Sequence, residues 1–354
     1  MALLDGKGTG AVIDHGGSLG RARALFPDAP QPFVDLSTGI NPHSYPLFDL
    51  PATILTRLPE PARVRELAAV AAHAYGAPSA SQVVPAPGTQ ILLPRVYSLI
   101  RPGRALILGP TYAEHPRAAA LCGHHAAETG DFTALAGADL AIVVNPNNPD
   151  GRIVSRENLL DLAHTLRRKG GLLVVDEAFM DVGPRQESLC SDVGEGSLVV
   201  LRSFGKFFGL AGLRLGFAIT SNDIVRRLDA EFVPWAVAGP ALEYGVRALS
   251  DVSWQDAMRR RLEHDAARLD GLFEKFGICV DGGTSLFCHI AMPNAAALFD
   301  TLGNRGILLR NFAGRQQKLR AGLPGGEEEW RRLEEALAAW AATRGGVERA
   351  GVSR

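Results

Sequence analysis

The sequence predicts an α/β protein: a large domain with a mainly parallel, doubly wound sheet, followed by a smaller C-terminal α+β domain. Three observations carry this. From Arg104 to Ile219 short apolar runs alternate with helical patterns. Those runs lack polar alternation, as strands covered on both faces do. Beyond about Phe232 the rhythm changes to long helical patterns and then short candidate strands.

In chain order, the opening stretch is rich in Pro and Gly (Pro27, Pro30, Pro32, Pro42, Pro46, Pro51). It reads as an extended arm over residues 1–50 that joins the small domain. Met1–Gly10 lacks a basic region followed by an apolar one, so no secretory signal is expected. Pro61–Tyr75 is an Ala-rich helix closed by Gly76. Val83–Val84 begins the strand pattern. Arg104–Leu108, Leu140–Val144, Leu172–Val175, Ser197–Leu201 and Leu215–Ile219 follow as buried strands, with Ala113–Cys122 and Arg156–Lys169 as intervening helices. This βαβ rhythm implies a parallel sheet with helices on both faces, a large domain over 51–232. In the small domain, 233–344, Ala241–Leu249 and Trp254–Phe276 are helical. Ser285–Ala291, Gly306–Leu309 and Lys318–Ala321 are candidate strands, and Glu327–Ala342 is a final amphipathic helix. Residues 345–354 read as a disordered tail.

Composition narrows the partners. The 354 residues are 46% hydrophobic, enough for a proper core, and carry a formal net charge of -1. Near-neutrality argues against nucleic acid or an anionic membrane as the main partner. No apolar run reaches the length of a membrane span. Cys122, Cys190, Cys279 and Cys288 show no CxxC spacing. They read as reduced, packed thiols of a cytoplasmic protein, with no metal expected.

In open α/β sheets ligands bind at the carboxyl ends of strands, and here those ends carry unusual residues. Ser197–Leu201 leads into Ser203 and Lys206, with Arg214 eight residues after the lysine. Leu172–Val175 leads into Asp176-Glu177, Leu140–Val144 into Asn145-Pro-Asn-Asn148, and Val83–Val84 into Gly88-Thr89. A lysine can condense with an aldehyde and an arginine can clamp a phosphate; pyridoxal phosphate carries both groups. Asp176 can hold a pyridine nitrogen protonated, which makes the ring an electron sink. Asn148 can donate to the ring's phenolate oxygen, and Tyr112 offers a face to stack on the ring. Gly88 and Thr89 offer backbone N–H groups at a helix N-terminus. Ser203 and Arg214 add a hydroxyl and a bidentate guanidinium to the same phosphate. Taken singly, Lys206 reads as a surface lysine, Asp176 as a helix cap, Asn148 as part of a turn, Tyr112 as core and Arg214 as a structural ion pair. Their order and their shared position at strand ends outweigh those readings. Gly205-Lys206 is no phosphate-binding Walker loop, because Phe207 follows where Ser or Thr is required.

With these motifs in order, the chain resembles the fold-type I pyridoxal-phosphate enzymes of the aspartate aminotransferase superfamily. It is most similar to the branch that holds histidinol-phosphate aminotransferases and threonine-phosphate decarboxylases. The resemblance runs from about His15 to Ala342. It rests on Asn145-Pro-Asn-Asn148-Pro-Asp-Gly151, Asp176-Glu-Ala-Phe179 and Ser203-Phe-Gly-Lys206-Phe-Phe-Gly-Leu-Ala-Gly-Leu-Arg214-Leu-Gly216. It implies that Lys206 and Asp176 are catalytic, and that Gly88, Thr89, Tyr112, Asn148, Ser203 and Arg214 complete the cofactor site. It also implies a homodimer.

The arm separates the subfamilies. His15-Gly16-Gly17, then Ser37-Thr-Gly-Ile-Asn41-Pro42, resembles the opening of the decarboxylases, where the arm helps enclose the substrate phosphate. The resemblance therefore implies His15, Gly16 and Asn41 as phosphate contacts, with Asn148, Arg310 and Arg320 as further substrate residues; Arg320 is the candidate for the substrate carboxylate. The implied reaction is decarboxylation of L-threonine O-3-phosphate to (R)-1-amino-2-propanol O-2-phosphate, in cobalamin biosynthesis. The alternative is amino transfer between histidinol phosphate and 2-oxoglutarate. Three positions depart from the pattern. Phe179 stands where many aminotransferases have Tyr, Leu58 where the branch often has a Tyr reaching across the dimer, and Gly205 where a hydroxyl residue is common.

Overall fold

The structure, a computed structural model, describes residues 15–232, 235–312 and 314–351. The expectations for Met1–Gly10 and for 352–354 lie outside the described residues. In the arm, α1 (Leu19–Leu25) and β1 (Val34–Asp35) come first, then α2 (Thr53–Thr56). Next is α3 (Pro61–Tyr75), with Pro61 in its first turn and Gly76 closing it at φ 75°. The α/β succession follows: β2 (Val83–Ala86), α4 (Thr89–Tyr97), β3 (Arg104–Leu108), α5 (Glu114–Leu121), β4 (His125–Thr129), β5 (Leu140–Val144), α6 (Arg156–Arg167), β6 (Leu172–Asp176), β7 (Leu198–Ser203), α7 (Phe204–Phe207), β8 (Gly216–Thr220), α8 (Asn222–Glu231) and α9 (Gly239–Ser250). After them come α10 (Val252–Lys275), β9 (Val280–Thr284), β10 (Phe287–Ala291), α11 (Ala295–Gly303), β11 (Ile307–Leu308), β12 (Arg310–Asn311), β13 (Lys318–Gly322) and α12 (Glu327–Gly351).

The chain divides into two compact units. The first holds Ser44–Asn148 and Arg152–Asp256. Its 7-stranded sheet has the order β2-β8-β7-β6-β5-β3-β4. Five strands run parallel, from β7 to β4, while β8 lies antiparallel to both β2 and β7. The sheet is therefore mixed. The apolar run of β8 announces a buried strand but not its direction. β4 also escapes the sequence pattern, because His125, Glu128 and Thr129 dilute an edge strand that is held by pairing with β3. Every residue of β5 and β6 is buried. Leu172 and Val174 join Leu92, Val96, Ile107, Ile142 and Leu228 in one core layer.

The first unit extends to Asp256, past the domain boundary expected at 232. The reason is close packing of α9 on α3: a Cβ at Gly245 would lie 2.8 Å from Leu67 Cδ1. The glycine lets the two helices approach without displacing that leucine.

The second unit takes in the arm to His43, residues Pro149–Gly151 and the chain from Ala257 onward. Its 4-stranded antiparallel sheet has the order β12-β13-β10-β9. β1 pairs in parallel with β11, and the Gly322 N–H donates to Leu36 O at 2.7 Å. Backbone hydrogen bonds thus tie the arm into this unit. β9 (Val-Asp-Gly-Gly-Thr) is too glycine-rich to announce itself; its ladder with β10 makes it a strand. α12 continues to Gly351, beyond the tail boundary expected at 345.

The first unit contains a buried ion cluster. Arg202 on β7 donates to Glu177 Oε2 at 3.0 Å and to Asp181 Oδ1 at 2.6 Å. Its guanidinium lies 4.4 Å from the Tyr75 ring centroid. Glu177 also accepts from Ser188 Oγ (2.6 Å) and Leu189 N (2.8 Å). Burial pushes the Glu177 carboxyl up, while Arg202 and these donors pull it back. Cys190 sits beside Glu177, and burial drives its thiol well above the ordinary range. All four cysteines are unbridged. Removing Arg202 takes a guanidinium away from two buried carboxylates. Arg202→Met should therefore cost about 3–5 kcal/mol of stability, read from urea unfolding midpoints.

Candidate active site

Strand register gathers the predicted residues at one edge of the first unit's sheet. Asp176 ends β6 opposite Val144 of β5 and Leu201 of β7. Ser203 ends β7 opposite Gly216, which also pairs with Ala86 at the end of β2. The antiparallel β8 thereby carries its first residue, and Arg214 just before it, to the carboxyl edge of its neighbours.

The turn after β2 builds the anion end. Gly88 has φ +84°, its N–H bonds Ala86 O at 2.7 Å, and α4 begins at Thr89 with its amides unspent by the helix. Arg214 is itself left-handed, φ 54°, and its Nη1 bonds Ala211 O at 3.0 Å. The guanidinium lies against Gly88, where an added Cβ would be 2.8 Å from Nη2. Ser203, buried, supplies the hydroxyl next to this turn.

Lys206 lies on α7, one turn of helix directly after β7. Aromatic stacking pins that turn: Phe204 on Phe208 at 4.4 Å, and Phe208 on Trp254 at 5.7 Å. Lys206 Nζ lies 5.8 Å from the centroid of the buried Phe179 ring, so an apolar face stands where a Tyr hydroxyl is common. The glycine before the lysine has a packing cause: a Cβ at Gly205 would lie 2.8 Å from Ala211 Cα, leaving no room for a hydroxyl residue.

Two of the three loop asparagines hold the backbone. The Asn145 side chain makes paired bonds to Val154 O (3.0 Å) and Val154 N (2.9 Å). Asn147 donates to Pro110 O at 3.0 Å and accepts from Thr111 Oγ1 at 2.6 Å. Asn148, half-buried, follows them at the same edge. Tyr112 is steered by a bond to Gln90 Oε1 at 3.2 Å.

The sequence reading missed what surrounds Asp176. Asp176 Oδ1 accepts from Ala178 N at 3.0 Å, and Oδ2 lies 3.1 Å from His115 Nε2. His115 is fully buried on α5. The available signal was only its nearness to Tyr112, which precedes α5; the two ring centroids lie 5.7 Å apart.

In the second unit, His15, Gly16 and Arg310 line one shallow pocket with Ser37 and Arg21. Arg21, on α1, was not predicted. Arg320 on β13 is buried, donates to Ser37 O at 3.0 Å and lies 4.9 Å from the Phe287 centroid. Asn41 is buried, its Oδ1 accepting from His43 N at 2.8 Å; it is not among the pocket's lining residues.

The first unit thus presents an amine, a buried acid and an anion turn of amides, hydroxyl and guanidinium along one sheet edge. A glycine at 88 leaves the turn open against Arg214. This donor set fits pyridoxal phosphate. Fold and cradle define a class, and the chain belongs to it: the Aminotransferase class I and II family matches residues 63–337. More particularly, the chain is 41% identical over 329 residues to a threonine-phosphate decarboxylase of Pseudomonas aeruginosa, covering 92% of this chain and 97% of that protein. It is 40% identical over 332 residues to a threonine-phosphate decarboxylase of a Sinorhizobium species, covering 93% and 98%. The fold is also that of the histidinol-phosphate aminotransferase of Sinorhizobium meliloti, solved in complex with pyridoxal-5'-phosphate. That similarity has a TM-score of 0.77 at 18% identity, over 94% of this chain and 99% of that one.

Gly88→Ala puts a methyl group against Arg214 at a backbone angle that L-residues resist. Cofactor affinity should fall about tenfold, measured by titrating the protein with pyridoxal phosphate.

Proposed function

We propose that this protein is a pyridoxal-phosphate-dependent decarboxylase of L-threonine O-3-phosphate, releasing CO₂ and (R)-1-amino-2-propanol O-2-phosphate. The observation that carries the reading is identity at 40–41% along nearly the whole of two threonine-phosphate decarboxylases. The complete set of cradle residues in the first unit supports it. A cytoplasmic enzyme of cobalamin biosynthesis is part of the same reading. Among the described residues no helix is long and apolar enough to cross a membrane.

When bound, the cofactor's ring takes up the electron pair left as CO₂ departs. The chain's own residues do the rest. Lys206 would hold the cofactor aldehyde, and once the substrate amine takes its place there its Nζ would deliver a proton to the substrate Cα. Asp176 would accept a hydrogen bond from the pyridine nitrogen and favour its protonated form. Asn148 would donate to the ring oxygen, and Tyr112 would offer its face to the ring. Ser203, Arg214 and the Gly88-Thr89 amides hold the cofactor phosphate. Arg320 takes the substrate carboxylate and fixes which bond at Cα is broken. Decarboxylation and amino transfer part at that choice, and a small change of orientation decides it. His15, Gly16, Asn41 and Arg310 take the substrate phosphate. The guanidinium groups of Arg21 and Arg310, which line the pocket together with His15, support an anionic group there.

The loaded protein should release CO₂ from O-phosphothreonine with no amino acceptor present. If it instead forms glutamate from 2-oxoglutarate and histidinol phosphate, and no CO₂, the family's other chemistry is the right one.

The reading includes a homodimer. Leu47, Leu55 and Leu58 are 74%, 73% and 62% exposed. The segment that carries them is fixed in the first unit by Phe48, whose N–H and carbonyl both bond Tyr244 Oη, at 3.0 and 3.1 Å. Three exposed leucines on an ordered segment suit burial by a second copy. The double variant Leu55→Asp, Leu58→Asp should shift the mass seen by light scattering from two chains to one.

A further inference from the structure

We propose that Tyr97 is a positioning residue for the cofactor: it fixes the proton arrangement of His115, and through it the carboxylate of Asp176. The proposal rests on the reading of Asp176 as the partner of the pyridine nitrogen.

Three side chains form an unbroken buried line. Tyr97 Oη lies 2.6 Å from His115 Nδ1, and His115 Nε2 lies 3.1 Å from Asp176 Oδ2. Tyr97 and His115 are both fully buried. Hydrogen-bonding capacity then settles the protons. An ionised carboxylate only accepts, so His115 Nε2 carries the hydrogen and donates it. Nδ1 of the neutral ring is left as an acceptor, and Tyr97 O–H is the donor that meets it. The tyrosine stays protonated: burial and the negative charge of Asp176 hold its pKa well above the ordinary value. A doubly protonated ring would make Nδ1 a donor to Tyr97 Oη and turn the tyrosine's own hydrogen away, with no other acceptor for it among the described residues. The neutral Nε2–H form is therefore the one that satisfies all three groups.

The helix makes this a structural coupling. Tyr97 is the last residue of α4, whose first residue, Thr89, opens the anion turn. Its carbonyl is tied down as well, accepting from His124 Nε2 at 2.9 Å, while His124 Nδ1 accepts from Gly103 N at 3.2 Å. One helix thus sets the phosphate turn at its start and the ring-nitrogen acid at its end.

The test is nitrogen NMR of histidine-labelled, cofactor-loaded full-length protein, with His115 assigned from His115→Gln. The wild type should show Nε2 protonated and Nδ1 bare but hydrogen-bonded. Tyr97→Phe should move the Nδ1 resonance toward that of an unbonded nitrogen and weaken cofactor binding about fivefold, the worth of one neutral hydrogen bond. Replacing the tyrosines by fluorotyrosine strengthens the donor without removing the ring and should move Nδ1 the opposite way; this arm serves if Tyr97→Phe does not fold. A proton on Nδ1 in the wild type overturns the proposal. So does an Nδ1 resonance unmoved in both altered proteins, even if Tyr97→Phe melts earlier, since packing alone would do that. Asp176→Asn separates the two ideas. If it leaves cofactor affinity unchanged while Nδ1 responds to Tyr97, the role given to Asp176 fails and the proton arrangement stands.

Discussion

The architecture turns on a carboxylate at the end of an apolar strand. β6 is Leu-Leu-Val-Val-Asp, buried throughout, between two strands that are also buried throughout. An ionised acid in such surroundings is costly unless donors meet it. Here the Ala178 amide meets one oxygen and His115 the other. That requirement reaches outward. α5 has to bring His115 under the sheet edge, and α4 has to bring Tyr97 to His115. The order β5-β6-β7 has to keep Asp176 between the asparagine loop and the lysine turn. An acid held in this way is fixed in direction by a partner on each oxygen.

The next residue serves a different purpose. Side chains alternate along extended backbone, so Glu177 leaves the strand end in another direction and meets Arg202. Together with Asp181 and Ser188 it fastens the loop that contains Phe179. That loop carries the aromatic face over which Lys206 Nζ lies. Two consecutive acids thus support two parts of one sheet edge, one bound to His115 and one behind the loop near the Lys206 amine. Glu177 does so at a cost in burial that Arg202 offsets.

One departure from the family pattern has a physical cause in the same region. Gly205 is required by the approach of Ala211, so the missing hydroxyl follows from packing of the turn. Phe179 keeps the ring that packs over the amine and gives up only the hydroxyl. Leu58 is exposed and apolar, on the same segment as the exposed Leu47 and Leu55. In the second unit the arm adds Arg21 to a pocket in which His15 and Arg310 were already expected.

The sequence by itself determined the strands that are apolar throughout, the helices between them, and the chemistry of the loops at their ends. Those features are local: strand burial, turn residues and motif spacing are written within a few positions of one another. Lys206, Asp176, Ser203 and Arg214 were legible for that reason. The tertiary structure alone decided what depends on partners. The direction of β8, the edge strand β4 and the glycine-rich β9 exist through the strands they pair with. The line from Tyr97 to His115 to Asp176 joins residues 18 and 61 positions apart. Nothing in periodicity encodes such a contact, because it arises only when two helices pack beneath one strand end.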